Sequence, residues 1–257
     1  MNVNQHTVGK LKISVLPDRL RLGKLAAAKA AAQIRLLLAN QQNVNLVFAS
    51  APSQNEFLEA LCAADGIDWS RISAFHMDEY IGLEPEHEQS FGRYLKDHLL
   101  DHVPLGTMNY IRGNAASPEQ ECVRYENLLR ANPIDIVLMG IGENTHIAFN
   151  EPHIANFNDP YYVKIVDLDD TSRMQQVHDG CFATFDQVPS RAITLTVPAL
   201  YSARSIFCMV PGSWKADAVY ATLHHPINSD TPASILRQHR SAELFIDEAS
   251  AEKLNLV

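Results

Sequence analysis

No apolar run in this sequence approaches the roughly 20 residues a bilayer-crossing helix needs. The opening stretch MNVNQHTVGK lacks the apolar core of a secretory signal. The expectation is a protein with no membrane partner. Cysteine is scarce: Cys62, Cys122, Cys181 and Cys208 stand far apart, with no CxxC pair. That spacing argues against a zinc site and against a disulfide framework, and makes a reducing cytoplasm the simplest location. Positive charge is also short, with 21 Lys and Arg against 30 Asp and Glu, a formal net charge of −9 and no basic cluster. Nucleic acid is therefore not an expected partner. An anionic ligand would need a locally positive pocket built from helix N-termini and one or two well-placed cations. Repeats, low-complexity tracts and clear linkers are missing too. The 257 residues, 46% hydrophobic and 20% charged, read as one α/β domain over 1–257.

The elements that are present alternate. Strands are expected at 11–16, 44–49, 72–76, 134–139, 163–166, 192–196, 205–210 and 243–246. Helices are expected at 21–40, with Gly23 as an interruption, and at 54–64, 90–99, 117–132 and 213–223. Ser117-Pro118-Glu119 carries a cap and a first-turn proline. The runs LVFA, IVLM and IFCMV are apolar without alternation. Strands of that kind are buried on both faces, which predicts a mostly parallel sheet with helices on either side. The polar stretch NEPHIANFNDP (150–160) reads as a long loop, and long loops beside strand-end polar groups often act as lids.

Four strand ends carry chemistry. The IVLM strand stops at a glycine turn that delivers Glu143, Asn144, His146, Asn150 and Glu151 within nine residues. Ligands of α/β sheets bind at such carboxyl ends. Gly140 and Gly142 allow a sharp turn and a close approach of ligand to backbone. An imidazole held by a neighbouring carboxylate is suited to shuttling a proton. The strand ISAFH leads into Asp78-Glu79, where a partly desolvated acid serves as a general base; a solvated loop pair is the competing reading. A His76-x-Asp78 metal site has no third ligand nearby, and no metal is expected. Ser50-Ala51-Pro52-Ser53 joins a strand to a helix start, and its hydroxyls and free N–H groups would seat a phosphate, although Ser53 equally fits a helix cap. Lys215, in the first turn of a helix after Gly212, is disfavoured by the helix dipole and is a candidate anion clamp.

The strings FHMDEYIGL (75–83), SFGRYL (90–95), GIGENTHIAFNEP (140–152), VPSRAITLTV (188–197) and GSWK (212–215) resemble the glucosamine-6-phosphate deaminase family, within the larger group that also holds 6-phosphogluconolactonases. The resemblance runs over almost the whole chain. It implies a modified doubly wound, Rossmann-like α/β fold. It also implies a cofactor-free and metal-free aldose–ketose isomerisation with loss of ammonia from a hexosamine 6-phosphate. Asp78 would move the proton between C2 and C1, His146 would assist ring opening, and Glu151 would orient His146. Ser50, Ser53 and Lys215 would hold the phosphate, with Glu79 and Gly142 as further substrate contacts and Asn144 beside the histidine. The family includes monomers, dimers and hexamers, so a homo-oligomer is compatible. A lactone hydrolase and a non-catalytic sugar-phosphate sensor are the alternatives.

The chain departs from the family pattern in places. Asn144 stands where members usually carry Asp, and Thr145 where they carry Gly. Asn144 accepts a hydrogen bond from the imidazole but cannot stabilise an imidazolium by charge, and adjacent Glu143 is a candidate replacement. The arginine that many members place upstream of Val188-Pro189 has no match. Asp179 occupies that region, and Arg173 is the candidate substitute. Ile154 and Ala155 fall where allosteric members carry a serine pair, so activation by N-acetylglucosamine 6-phosphate is not expected.

Overall fold

A computed structural model describes residues 4–254. In chain order its strands are β1 (Asn4–Val8), β2 (Leu11–Leu16), β3 (Val44–Phe48), β4 (Ile72–His76), β5 (Asp78–Tyr80), β6 (Thr107–Asn109), β7 (Ile136–Met139), β8 (Val163–Asp167), β9 (Arg191–Leu195), β10 (Ser205–Val210) and β11 (Ala242–Asp247). The α-helices are α1 (Arg19–Asn40), α2 (Asn55–Cys62), α3 (Phe91–Leu95), α4 (Pro118–Ala131), α5 (Asp170–His178), α6 (Val197–Tyr201) and α7 (Ala216–His224).

Eight strands form one sheet in the order β1-β2-β11-β10-β7-β3-β4-β6. Only the β1–β2 pair is antiparallel; every other pair in it is parallel. The non-alternating apolar strands explain this burial. On β3, Leu46 and Phe48 pack into a cluster with α1 and α2, while Val47 packs into one with α4 and α7. On β10, Phe207 and Met209 face the first cluster, and Ile206, Cys208 and Val210 the second. Both faces are covered, as a doubly wound sheet requires. Gly23 does not break α1. A Cβ there would lie 2.7 Å from the Glu56 backbone, so the glycine lets α1 and α2 approach closely.

The mostly parallel sheet expected from the apolar strands is this one, but not every strand belongs to it. Instead β5, β9 and β8 form a separate antiparallel sheet of three. Met77 is the junction: its N–H donates to Phe48 O (3.1 Å) on the large-sheet side, and its carbonyl accepts from Leu195 N (2.8 Å) on the other. Asp78 is thus the first residue of the second sheet. β1, β5, β6 and α5 are elements the apolar pattern did not announce. No described helix is long and apolar enough to cross a membrane.

Chain order sets the position of the site. From β3 the chain moves outward to β4 and β6, then returns across β3 to β7 and β10. The strand order reverses between β3 and β7. Loops leaving the carboxyl ends of strands on either side of such a point diverge and leave a crevice.

Candidate active site

Four adjacent strands, β10-β7-β3-β4, deliver their following loops into that crevice. One cleft there is lined by Ser50, Ser53, Asp78, Gly142, His146 and Lys215, among others. Asn144 and Glu151 sit behind His146 rather than on the cleft wall.

Asp78 is almost wholly buried. Burial holds its carboxyl well above the usual carboxylate range, and the negative charge of Glu79 adds to the effect. No hydrogen bond to its carboxylate is present among the described residues, so its acceptor oxygens are free for a ligand. Glu79, expected as a substrate contact, does not line this cleft. Successive strand residues face opposite sides, and Glu79 points away from the cleft. Its Oε1 accepts from Tyr80 N (3.0 Å) and Phe91 N (3.1 Å), and its Oε2 from Ser90 Oγ (3.0 Å) and Gly92 N (2.9 Å). The side chain closes the N-terminus of α3 onto β5. Burial raises its pKa even against those four donors.

His146 is buried, and its pKa is pushed down to about 3, first by desolvation and then by the positive charge of Lys215, with Asp169 opposing. The imidazole is therefore neutral at pH 7. Its Nδ1 lies 2.7 Å from Asn144 Oδ1 and 3.0 Å from Ser172 Oγ. Nε2 has no protein partner among the described residues. Gly142 makes room for the ring: a Cβ at that position would come within 2.1 Å of the imidazole. Gly142 also fixes the turn, donating to His146 O (2.9 Å) and accepting from Thr145 N (3.0 Å). Thr145 adopts φ 70°, a left-handed conformation unfavourable for a β-branched residue.

Of the partners expected for His146, Asn144 is in place and Glu151 makes no direct bond to it. Its Oε2 accepts from Asp169 N (2.8 Å), and the Ser172 hydroxyl beside it lowers the pKa that burial raises. Glu143 does not replace the missing acid at 144; its carboxylate lies 3.4 Å from His178 Nδ1, at the far end of α5. Arg173 is not in the cleft either. Its guanidinium donates to the carbonyls of Phe185 and Val188 and stacks on the Phe185 ring. Among the described residues no arginine lines the cleft.

The polar groups suited to an anion are Ser50, Ser53 and Lys215. Ser50 Oγ is buried without a partner. Ser53 is not a helix cap, because Ala51 and Gln54 hold the cap positions of the turn and of α2; its Oγ accepts from Gln54 Nε2 (3.1 Å). Lys215 is buried, which lowers its pKa, while Asp179 and Glu143 hold it up.

The 150–160 loop does not cover the cleft. Phe157 and Ile154 pack into apolar clusters, and Lys164 Nζ ties the loop through Ile154 O (3.0 Å) and Asp159 (2.9 Å). Gln175 and Gln176 of α5 line the cleft. This helix was missed because DTSRMQQVH offers almost no apolar period. Asp169, which caps it by accepting from Ser172 N (2.7 Å), was the available signal. Glu151, His153 and Asp169 bring three potential metal donors within 4.8 Å of one another. The two carboxylates already serve protein donors, Asp169 N and Asn144 Nδ2.

A buried free carboxyl and a neutral imidazole, facing a cation and hydroxyls across a strand-end crevice, define an acid–base site for a small anionic ligand. A model of the glucosamine-6-phosphate isomerases/6-phosphogluconolactonase family matches residues 17–246, and the chain belongs to that family. It is 37% identical over 189 residues to a glucosamine-6-phosphate deaminase of Exiguobacterium sp., covering 74% of this chain and 72% of that one. It is 32% identical over 251 residues to one of Clostridium botulinum, covering 96% and 100%. A solved monomeric glucosamine-6-phosphate deaminase superposes with a TM-score of 0.84 at 28% identity, over 93% of this chain and 98% of that one. A 6-phosphogluconolactonase of Thermotoga maritima shares the fold, with a TM-score of 0.74 at 20% identity, over 94% and 100%.

Proposed function

We propose that the protein converts glucosamine 6-phosphate, or a close hexosamine 6-phosphate, and water to a ketose 6-phosphate and ammonia. One observation carries this reading. Asp78, whose acceptor oxygens no protein donor fills, and the neutral His146 line the same cleft as Ser50, Ser53 and Lys215.

The steps follow from that placement. His146 Nε2 takes the C1 hydroxyl proton and returns one to the ring oxygen, which opens the sugar. Asp78, made more basic by burial, removes the C2 proton and delivers it to C1. As C1 gains that proton, an N–H proton of the C2 amine passes to the C1 carbonyl oxygen, giving a C1 CH2OH and a C2 imine. Water then adds to the imine carbon and the C2–N bond breaks, leaving the C2 ketone and ammonia. Ser50, Ser53 and Lys215 hold the phosphate, so binding energy remote from C1 and C2 supplies their orientation. Four unpaired cysteines support a cytoplasmic location.

The test is a panel of hexosamine and hexose 6-phosphates together with 6-phosphogluconolactone. Ammonia and ketose phosphate are expected in equal amounts from one of the hexosamine phosphates. Lactone hydrolysis without ammonia release from any member of the panel would overturn the assignment.

A further inference from the structure

We propose that Asp169 is a positioning residue for His146, supplying through the Asn144 amide the negative charge that position 144 itself does not carry. The geometry is a three-member chain. Asn144 Nδ2 donates to Asp169 Oδ2 at 2.9 Å, and Asn144 Oδ1 lies 2.7 Å from His146 Nδ1. Its direction is fixed by donor and acceptor type alone. A carboxylate only accepts, so the amide must turn its NH2 toward Asp169 and its oxygen toward the ring. That oxygen also accepts from His146 N (3.2 Å). The ring nitrogen facing it must then carry the proton, which leaves Nε2 as an acceptor open to the cleft.

A hydroxyl also faces the ring: Ser172 Oγ lies 3.0 Å from Nδ1. One half-buried carboxylate therefore stands behind the imidazole, relayed through one neutral amide. The charged groups acting on the ring come from two elements. Asp169 favours the imidazolium from the start of α5, and Lys215 opposes it from the turn before α7. Asp78 lines the cleft from β5. Asp169 links two tasks, because α5, which it caps, also carries Gln175 and Gln176, which line the cleft. For turnover this inference rests on the function proposed above; for the tautomer it does not.

The deciding variant is Asp169→Asn. Asn caps helices about as well as Asp, so the start of α5 is retained. With its oxygen on Ser172 N, the new NH2 opposes the NH2 of Asn144. Asn144 must turn over, and the ring proton moves to Nε2. The expected result is a fall in kcat of about 100-fold with KM little changed. Asn144→Asp alone sets two carboxylates against each other and also loses activity. The double exchange, Asn144→Asp with Asp169→Asn, puts the charge directly on Nδ1 with an amide behind it. It should recover to within about tenfold of the parent, a coupling that a double-mutant cycle reads directly.

Nitrogen-15 NMR of the ring gives an arm independent of turnover and of variant folding. In the parent protein His146 is expected as the Nδ1–H tautomer, assigned by loss of its signals in His146→Gln. The proposal falls if the parent shows Nε2–H. It falls equally if Asp169→Asn keeps the parental kcat, or if the exchange does no better than the better single variant.

Discussion

Asp78 and Glu79 are neighbours on β5, both are buried, and burial raises the pKa of each, yet their surroundings differ in kind. Glu79 has its oxygens filled by three backbone N–H groups and a hydroxyl. Asp78, one residue away on the opposite face, has none and opens on the cleft. A buried acid whose acceptors are filled is a clasp. One whose acceptors are empty is available for a proton from a ligand. Two of the three buried histidines, His76 and His146, show a related difference. Both are pushed down to about 3, mainly by desolvation. His76 Nε2 accepts from Ile111 N at 2.8 Å and pins the chain beyond β6 to β4. His76 Nδ1 is buried without a partner and His76 does not line the cleft, whereas the unpartnered Nε2 belongs to cleft-lining His146.

The strongest break in this comparison is Asp78→Asn. It keeps the shape and removes the base, so kcat should fall by at least about 10³-fold. The thermal midpoint should hold or rise, because a buried, unpartnered carboxyl is lost. Steady-state kinetics and a melting curve on the same sample decide it. Retained turnover would remove Asp78 from the mechanism. Glu79→Ala should do the reverse. Four buried donors lose their acceptor, at a cost of about 4 kcal/mol by denaturant unfolding. The kcat of the folded fraction should change much less. A variant that stays fully stable but loses activity would mean that Glu79 reaches the substrate after all.

Much of this contrast could be read in the sequence, and some of it could not. The turn from Gly140 to Glu151 and the start at Asp78 were legible because dense polar residues follow an apolar run abruptly. The central strands were legible because they are apolar on both faces. Glu79 lies off the cleft, as period-two alternation sets it opposite Asp78. β5, three residues long, gives too little pattern to separate from β4. Asp169, Ser172 and the two glutamines of α5 were invisible as site residues. They enter through a polar helix whose buried residues are Ser172 and Gln175. Tertiary placement, not periodicity, brings them to His146. For the same reason Arg173 stood as the candidate substitute for the family's arginine, while the fold spends its guanidinium on two carbonyls.

The histidines sharpen the comparison through pH. Their pKa values are lower in the folded protein, so the unfolded chain binds protons first as pH falls below about 6.5. Each histidine therefore removes stability from about pH 6.5 downward, toward the folded value of about 3. Asp78, Glu79 and Glu151 act in the opposite sense, because their folded pKa values are raised. Their contribution is present below about pH 4 and is lost as pH rises through the folded values. His76→Gln should leave a protein whose stability declines less between pH 6.5 and pH 4, by about 3 kcal/mol relative to the parent's own decline. Urea unfolding at several pH values measures it. An unchanged slope would show that His76 is not held neutral by burial.

The smallest expected effect concerns two hydroxyls. Ser50 Oγ and Thr145 Oγ1 are both buried without a partner. Ser50 lines the cleft, where a ligand can satisfy it, whereas Thr145 does not. Thr145 also holds φ 70°. Its conformation and its idle hydroxyl both cost stability with no ligand to offset them. Thr145→Gly removes both costs but adds chain entropy to the unfolded state and loses a buried methyl. The net expectation is a gain of about 1 kcal/mol, or about 2–4 °C in melting temperature for a chain of this size. Activity should be nearly unchanged, because the backbone bonds that place His146 come from Gly142 and Asn144. If the variant melts lower and kcat drops with it, the threonine side chain is shaping the turn rather than straining it. The difference between the two hydroxyls would then lie in geometry, not in access to ligand.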